Sequence, residues 1–196
     1  MKPIDPSELL SNAEYLRRRP EIVRDIIALK SVRRVEIGPW VSAAFENRRT
    51  ALYQIQEMLR IEDIAAPDAV RHEIETYSDL LPGEGELSIT LFIEIPDAAQ
   101  RREALAKLIG IERAVFLRLD GRRIPAFDKR PIDPRFAREQ ATAVYYLGFR
   151  LPEEDRKAFD SKDAWLDVDH PAYRHSAALP FETKESLAKD LLESAR

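Results

Sequence analysis

Residues 86–95 read ELSITLFIEI, and their alternation decides the fold. Leu87, Ile89, Leu91, Ile93 and Ile95 point one way, while Ser88, Thr90 and Glu94 point the other. That is the period of a half-buried strand, one face on a core and one in water. Downstream, AAQRREALAKLIG (98–110) reads as an amphipathic helix stopped by Gly110. AVFLRLDGRRIPAF (114–127) reads as a tight hairpin turning at Asp120–Gly121, with Pro125 placing its second arm at a sheet edge. ATAVYYLGFRL (141–151) and AWLDVDH (164–170) add two strands, and TKESLAKDLLESA (183–195) closes the chain as a helix. Segments 121–142 and 152–163 are the longest expected connections, and AFDKRPIDPRFAREQ (126–140) is polar and proline-rich.

Upstream the pattern is helical. Asp5, Pro6 and Glu8 in DPSELL supply a cap, a first-turn proline and a box partner for a first helix. Pro20 opens a second, with Ile22, Val23, Ile26, Ile27 and Leu29 on its apolar face. RRVEIGPWVSAAFEN (33–47) gives two short strands around a Gly38–Pro39 turn, and Asn47 caps the next helix. There Ala51, Leu52, Ile55, Met58 and Leu59 form the core face, with Thr50, Tyr53, Glu57 and Arg60 opposite. Arg48 falls within the apolar arc, where it must snorkel or meet an acid. PDAVRHEIETYSDLL (67–81) is a further helix, with Val70, Ile74, Tyr77 and Leu81 inward and His72, Glu75 and Asp79 on the other side. The expected class is α+β: a mainly antiparallel sheet with helices packed on one side and a helical N-terminal part. One domain is expected over 1–196, helix-rich to 82, strand-rich over 83–180, with a C-terminal helix at 183–195.

The 196 residues are 44% hydrophobic and 34% charged, as in a soluble globular protein. Cysteine is absent, which excludes disulfides, thiolate chemistry and any cluster held by the chain's own thiolates. MKPIDPSELL has no signal-peptide character and no apolar run is long enough to span a bilayer, so a cytoplasmic protein is expected. The net charge is −4, and the arginine clusters at 17–19, 33–34, 48–49, 101–102 and 122–123 are scattered among acids. A salt-laced surface explains them, and nucleic acid is disfavoured as a partner.

No phosphate-cradling loop, nucleophile elbow or His-Glu-x-x-His motif is present. His72 with Glu75 is an i, i+3 pair, and DVDHPAYRH (167–175) carries His170 and His175 beside Asp167 and Asp169. Folded over Glu57, these give a nitrogen–oxygen set suited to Fe, Mn or Zn: His72, Glu75, His170, His175 and Glu57. Against this, His72 lies opposite its helix's core stripe, where a solvent-facing histidine is the simpler reading. Asp169–His170 also reads as an oriented base, but no nucleophile is placed beside it.

The blocks RRVEIGPWVSAAFENRRTALYQIQEMLRIE, HEIETY and LLPGEGELSITLFIEI, with the late DHPAYRH, resemble an uncharacterised bacterial family, domain of unknown function 3501. The resemblance covers nearly the whole chain. It implies a soluble, cysteine-poor, single-domain protein with no established activity. It also implies a supporting role beside rubrerythrin-like or iron–sulfur oxidoreductase proteins in peroxide or electron-transfer metabolism. Two classes follow: an accessory or interaction protein with a redox protein partner, or a metal-binding protein or metal-dependent enzyme built on the histidines.

Overall fold

The structure, a computed structural model, describes residues 3–130 and 140–193. Most of the proline-rich connection, 131–139, and the last residues of the expected closing helix lie outside that range.

The expected single sheet is two, and every strand pairing described is antiparallel. The first contains β1 (Arg34–Ile37), β2 (Val41–Glu46), β3 (Glu86–Ile93), β6 (Phe127–Asp128) and β7 (Val144–Arg150), in the order β1-β2-β3-β7-β6. The second contains β4 (Val115–Leu119), β5 (Arg122–Pro125), β8 (Ala164–His170) and β9 (Tyr173–Ala178), in the order β5-β4-β8-β9. β3 lies at the centre of the first sheet, with Ile89 opposite Phe45 on β2 and Leu147 on β7. Leu87, Ile89, Leu91 and Ile93 share one core with Val115, Leu117, Leu166 and Val168 of the second sheet. Each such side chain contributes about 1.5–3 kcal/mol through burial. α4 (Ala98–Lys107) and α6 (Phe181–Glu193) add Leu105, Leu187 and Leu191 to the same core.

The other face of β3 is not wet. Ser88 and Thr90 are buried, because α2 (Arg48–Ile61) and α3 (Pro67–Ser78) form a second apolar cluster on which Tyr146 of β7 packs. Alternation reports which residues share a face, not whether that face meets water. The buried hydroxyl is satisfied instead: Thr90 donates to Glu46 at 2.7 Å. The result is helices on one side of the first sheet and the second sheet on its other side.

The N-terminal helices depart from expectation. Asp5 and Glu8 form their capping box, but it encloses only a single 3₁₀ turn, Pro6–Glu8. α1 runs unbroken from Asn12 to Ser31, with Pro20 inside it and Ser11 as its cap. Proline removes a donor from Leu16's carbonyl, which is tolerable because Leu16 and Pro20 both face outward. Tyr15 and Ile26 are buried on the inner face and hold the helix together across the break.

Elsewhere the local rules hold. Asn47 caps α2 by accepting from Arg49 and Thr50, which buries Thr50 at the cap rather than on a polar stripe. Arg48 meets an acid, Glu8, at 2.9 Å. Asp120 and Gly121 both take positive φ, 47° and 83°, as a two-residue turn with right-handed twist demands. β5, with Pro125, is an edge strand. α3 ends at Ser78, short of the expected 81, though Leu80 and Leu81 are still buried. Gly110 does not end α4, which stops at Lys107, but opens a 3₁₀ turn with φ 87°. The 152–163 connection carries a short α5 (Glu153–Arg156) and a 3₁₀ turn.

Two features leave no local signal in the sequence. YRHSAA (173–178) is β9, an edge strand with one buried residue and therefore no alternation to betray it. Arg33, expected among solvated charges, is 1% exposed. It donates to Phe45's carbonyl at 2.9 Å, Ser186 at 2.8 Å and Asp190 of α6 at 2.5 Å.

Candidate functional site

Glu57 lies between α1 and α2. Its carboxylate accepts from Arg19 at 2.8 and 3.0 Å, from Arg60 at 3.2 and 3.0 Å, and from the Tyr15 hydroxyl at 2.6 Å. The Arg19 guanidinium, aided by Arg60 and Tyr15, outweighs burial and holds the carboxyl down to about 2. Burial and the hydrogen bond to Glu57 push Tyr15 in the opposite direction, above the usual phenol range. A carboxylate this acidic is a weak base, and its oxygens are already engaged. It serves as the rivet between two helices.

The other residues of the expected metal set lie apart. His72 and Glu75 are exposed on the outer side of α3. His170 ends β8 and is buried; Ala172's amide donates to Nδ1 at 3.2 Å, so Nε2 carries the hydrogen and donates to Ile109's carbonyl at 3.1 Å. His175 is exposed on β9, its ring 4.4 Å from that of Tyr173. Among the described residues, no group of three or more His, Asp or Glu is placed to hold a metal ion, and these five are not brought together. The acids of the same loop face the other side of the second sheet. Asp167, 1% exposed, is clasped by Arg118 at 2.9 and 3.2 Å and Arg123 at 3.3 Å, and Asp169 takes Arg123 at 2.8 Å.

What the fold does bring together is the Gly38–Pro39 turn and the HPAYRH segment. Tyr173's hydroxyl donates to Ile37's carbonyl at 2.6 Å and accepts from the amides of Trp40 at 3.0 Å and Val41 at 3.2 Å. Trp40 stacks on Tyr173 with ring centroids 5.7 Å apart. Beside this stack, Trp40, Ala104, Leu108 and Ala172 border a cavity of about 320 Å³ rimmed by Glu103 and Lys107.

A different kind of surface runs along α1. Ala13, Leu16, Pro20, Val23 and Ile27 recur alternately three and four residues apart, forming one stripe about a third of a turn from the buried face. Leu16 is 56% exposed and Ile27 64%. Arg17 and Arg24, 75% and 73% exposed, border one side of the stripe. Lys30, over the ring of Tyr53, and Arg19 border the other.

The family model described as Protein of unknown function (DUF3501) matches residues 3–191. The chain belongs to this family. No curated protein matches it. A crystal structure from Burkholderia pseudomallei, described as a novel protein of unknown function, is similar, with a TM-score of 0.87 and 34% identity over 97% of this chain and 100% of that one. The DUF3501 chain has, among its described residues, no helix long and apolar enough to cross a membrane.

In this DUF3501 protein, the sequence marks Glu57 and the 167–175 loop but not their partners. Tyr15 and Arg19 are four residues apart on the inner face of α1, a usable signal obscured by the break placed at Pro20. The same break divided the Ala13–Ile27 stripe, whose 3-4 spacing is otherwise plain.

Proposed function

We propose that the protein acts as an interaction protein, an accessory to a partner rather than the carrier of a reaction of its own. The observation supporting this is the exposed apolar face of α1. Isolated surface leucines need no explanation, but an aligned stripe rimmed by charge resembles an unfilled contact. Meanwhile Glu57, Asp167 and His170 are occupied by partners within the fold. We place the partner in a redox system of the rubrerythrin or iron–sulfur oxidoreductase kind, following the resemblance of the sequence motifs.

Site-specific photo-crosslinking in cells tests this. A photoreactive residue at position 27 should give a discrete adduct with one protein, while the same residue at position 72 on α3 should not. Equal labelling from both positions, or none from 27, removes the proposal. Mass spectrometry of the adduct decides whether the partner is a redox protein.

A further inference from the structure

We infer that the occupant of the α1 face is an acidic amphipathic helix of a partner protein, an inference that rests on the docking reading above. The spacing of the stripe is the first argument. Ala13, Leu16, Pro20, Val23 and Ile27 follow the 3-4 alternation that seats one helix against another, and a strand or extended peptide would not match it. From Ala13 to Ile27 the stripe is about 21 Å long, enough for roughly two heptads of a partner.

Charge is the second. The whole chain is acidic at −4, yet α1 carries Arg17, Arg18, Arg19, Arg24 and Lys30 against Glu14, Glu21 and Asp25. Of the cations, Arg17 and Arg24 stand next to the stripe on one side and Lys30 on the other, while Arg18 lies on the opposite face and Arg19 is held by Glu57. Glu14 and Asp25, which pair with Arg17 and Arg24, lie further round the helix. A partner helix with glutamates or aspartates flanking its apolar seam meets complementary charge along both edges.

The same charges argue against a second copy of this chain. An antiparallel pair of α1 helices that sets Leu16 against Ile27 also sets each Arg17 against the second copy's Arg24. That arrangement places guanidinium beside guanidinium, which antiparallel self-association of this helix would have to overcome.

The test titrates the full chain with three labelled helical peptides that share one apolar heptad seam and carry Glu, Gln or Lys at the flanking positions. Fluorescence anisotropy at low salt should show the Glu peptide binding at least tenfold tighter than the Lys peptide, with the gap narrowing as salt rises. Ile27→Glu should weaken the Glu peptide at least tenfold, and Arg17→Glu with Arg24→Glu should reverse the order of the peptides. Melting curves of each variant confirm folding, which these exposed positions should leave intact. Equal binding of all three peptides overturns the acidic class. Binding of none, with the position-27 crosslink intact, overturns the helical partner while leaving the docking face standing; loss of both removes the two readings together. Sedimentation as a dimer abolished by Ile27→Glu, or binding to vesicles of anionic lipid without peptide preference, overturns it in favour of those occupants.

Discussion

Gly38 lies so close to His175 that a Cβ on it would stand 2.5 Å from the imidazole Cγ. Gly38 also takes φ 76°, a conformation L-residues avoid. The two constraints are separable. Gly38→Ala should destabilise the fold by about 1–3 kcal/mol in urea unfolding. Adding His175→Ala should recover only a part of the contact cost, because the Tyr173 hydroxyl would still stand 2.7 Å from that Cβ. Full recovery in the double variant would mean the backbone at 38 carries no strain.

Tyr173→Phe removes a hydroxyl that closes the β1–β2 turn from the opposite sheet. Ile37's carbonyl loses its donor and the amides of Trp40 and Val41 lose an acceptor. The expected cost is about 1–3 kcal/mol, and amide exchange at Trp40 and Val41 should accelerate selectively. Unchanged exchange at those two amides would refute the role given to the hydroxyl.

Glu57 makes stability depend on acid. Its folded pKa lies below the usual carboxylate value of 4.5, at about 2, so its contribution is complete above about pH 4.5. That contribution is lost as pH falls through the folded value. Glu57→Gln should therefore cost on the order of 2 kcal/mol at pH 7. The gap from the parent should close between pH 4.5 and 2. A gap independent of pH would assign the loss to packing.

Leu16→Ser and Ile27→Ser should leave stability within about 0.5 kcal/mol of the parent, since neither side chain packs in the core. Thermal melts of the single variants check this. A large loss would show that these residues support the fold itself, and the docking reading of α1 would fail.

Local chemistry was the most legible part of the sequence. Asn47, Asp120–Gly121 and Pro125 each specify their own backbone, and each does so in the structure. Facts that depend on distant chain were not legible. Ser88 and Thr90 look like solvent-facing residues until α2 and α3 cover them, and Arg33 looks like surface until Asp190 arrives.

Of the candidate site, Glu57 was found as part of a polar stripe, but its meaning lay in Arg19 and Tyr15 on another helix. The break placed at Pro20 shows why: proline's cost to a helix is local and real, yet inward-facing Tyr15 and Ile26 on either side offset it. His170 carries the same lesson from the other direction. Its type and neighbours suggested chemistry, whereas its two ring nitrogens are committed to the backbone of Ile109 and Ala172.

Arg33 also constrains how the molecule comes into being. A guanidinium this deeply enclosed is unfavourable until its counter-charge is in place, and Asp190 lies 157 residues later in the chain. The hairpin's own carbonyls of Phe45 and Glu46 accept from the guanidinium, but the carboxylate that pairs with it is supplied by α6. Enclosing Arg33 therefore requires α6, which makes the first hairpin's burial depend on a helix far along the chain. Contacts of such long sequence separation carry a large loop-closure cost, so this ion pair ties the stability of the first hairpin to the docking of α6.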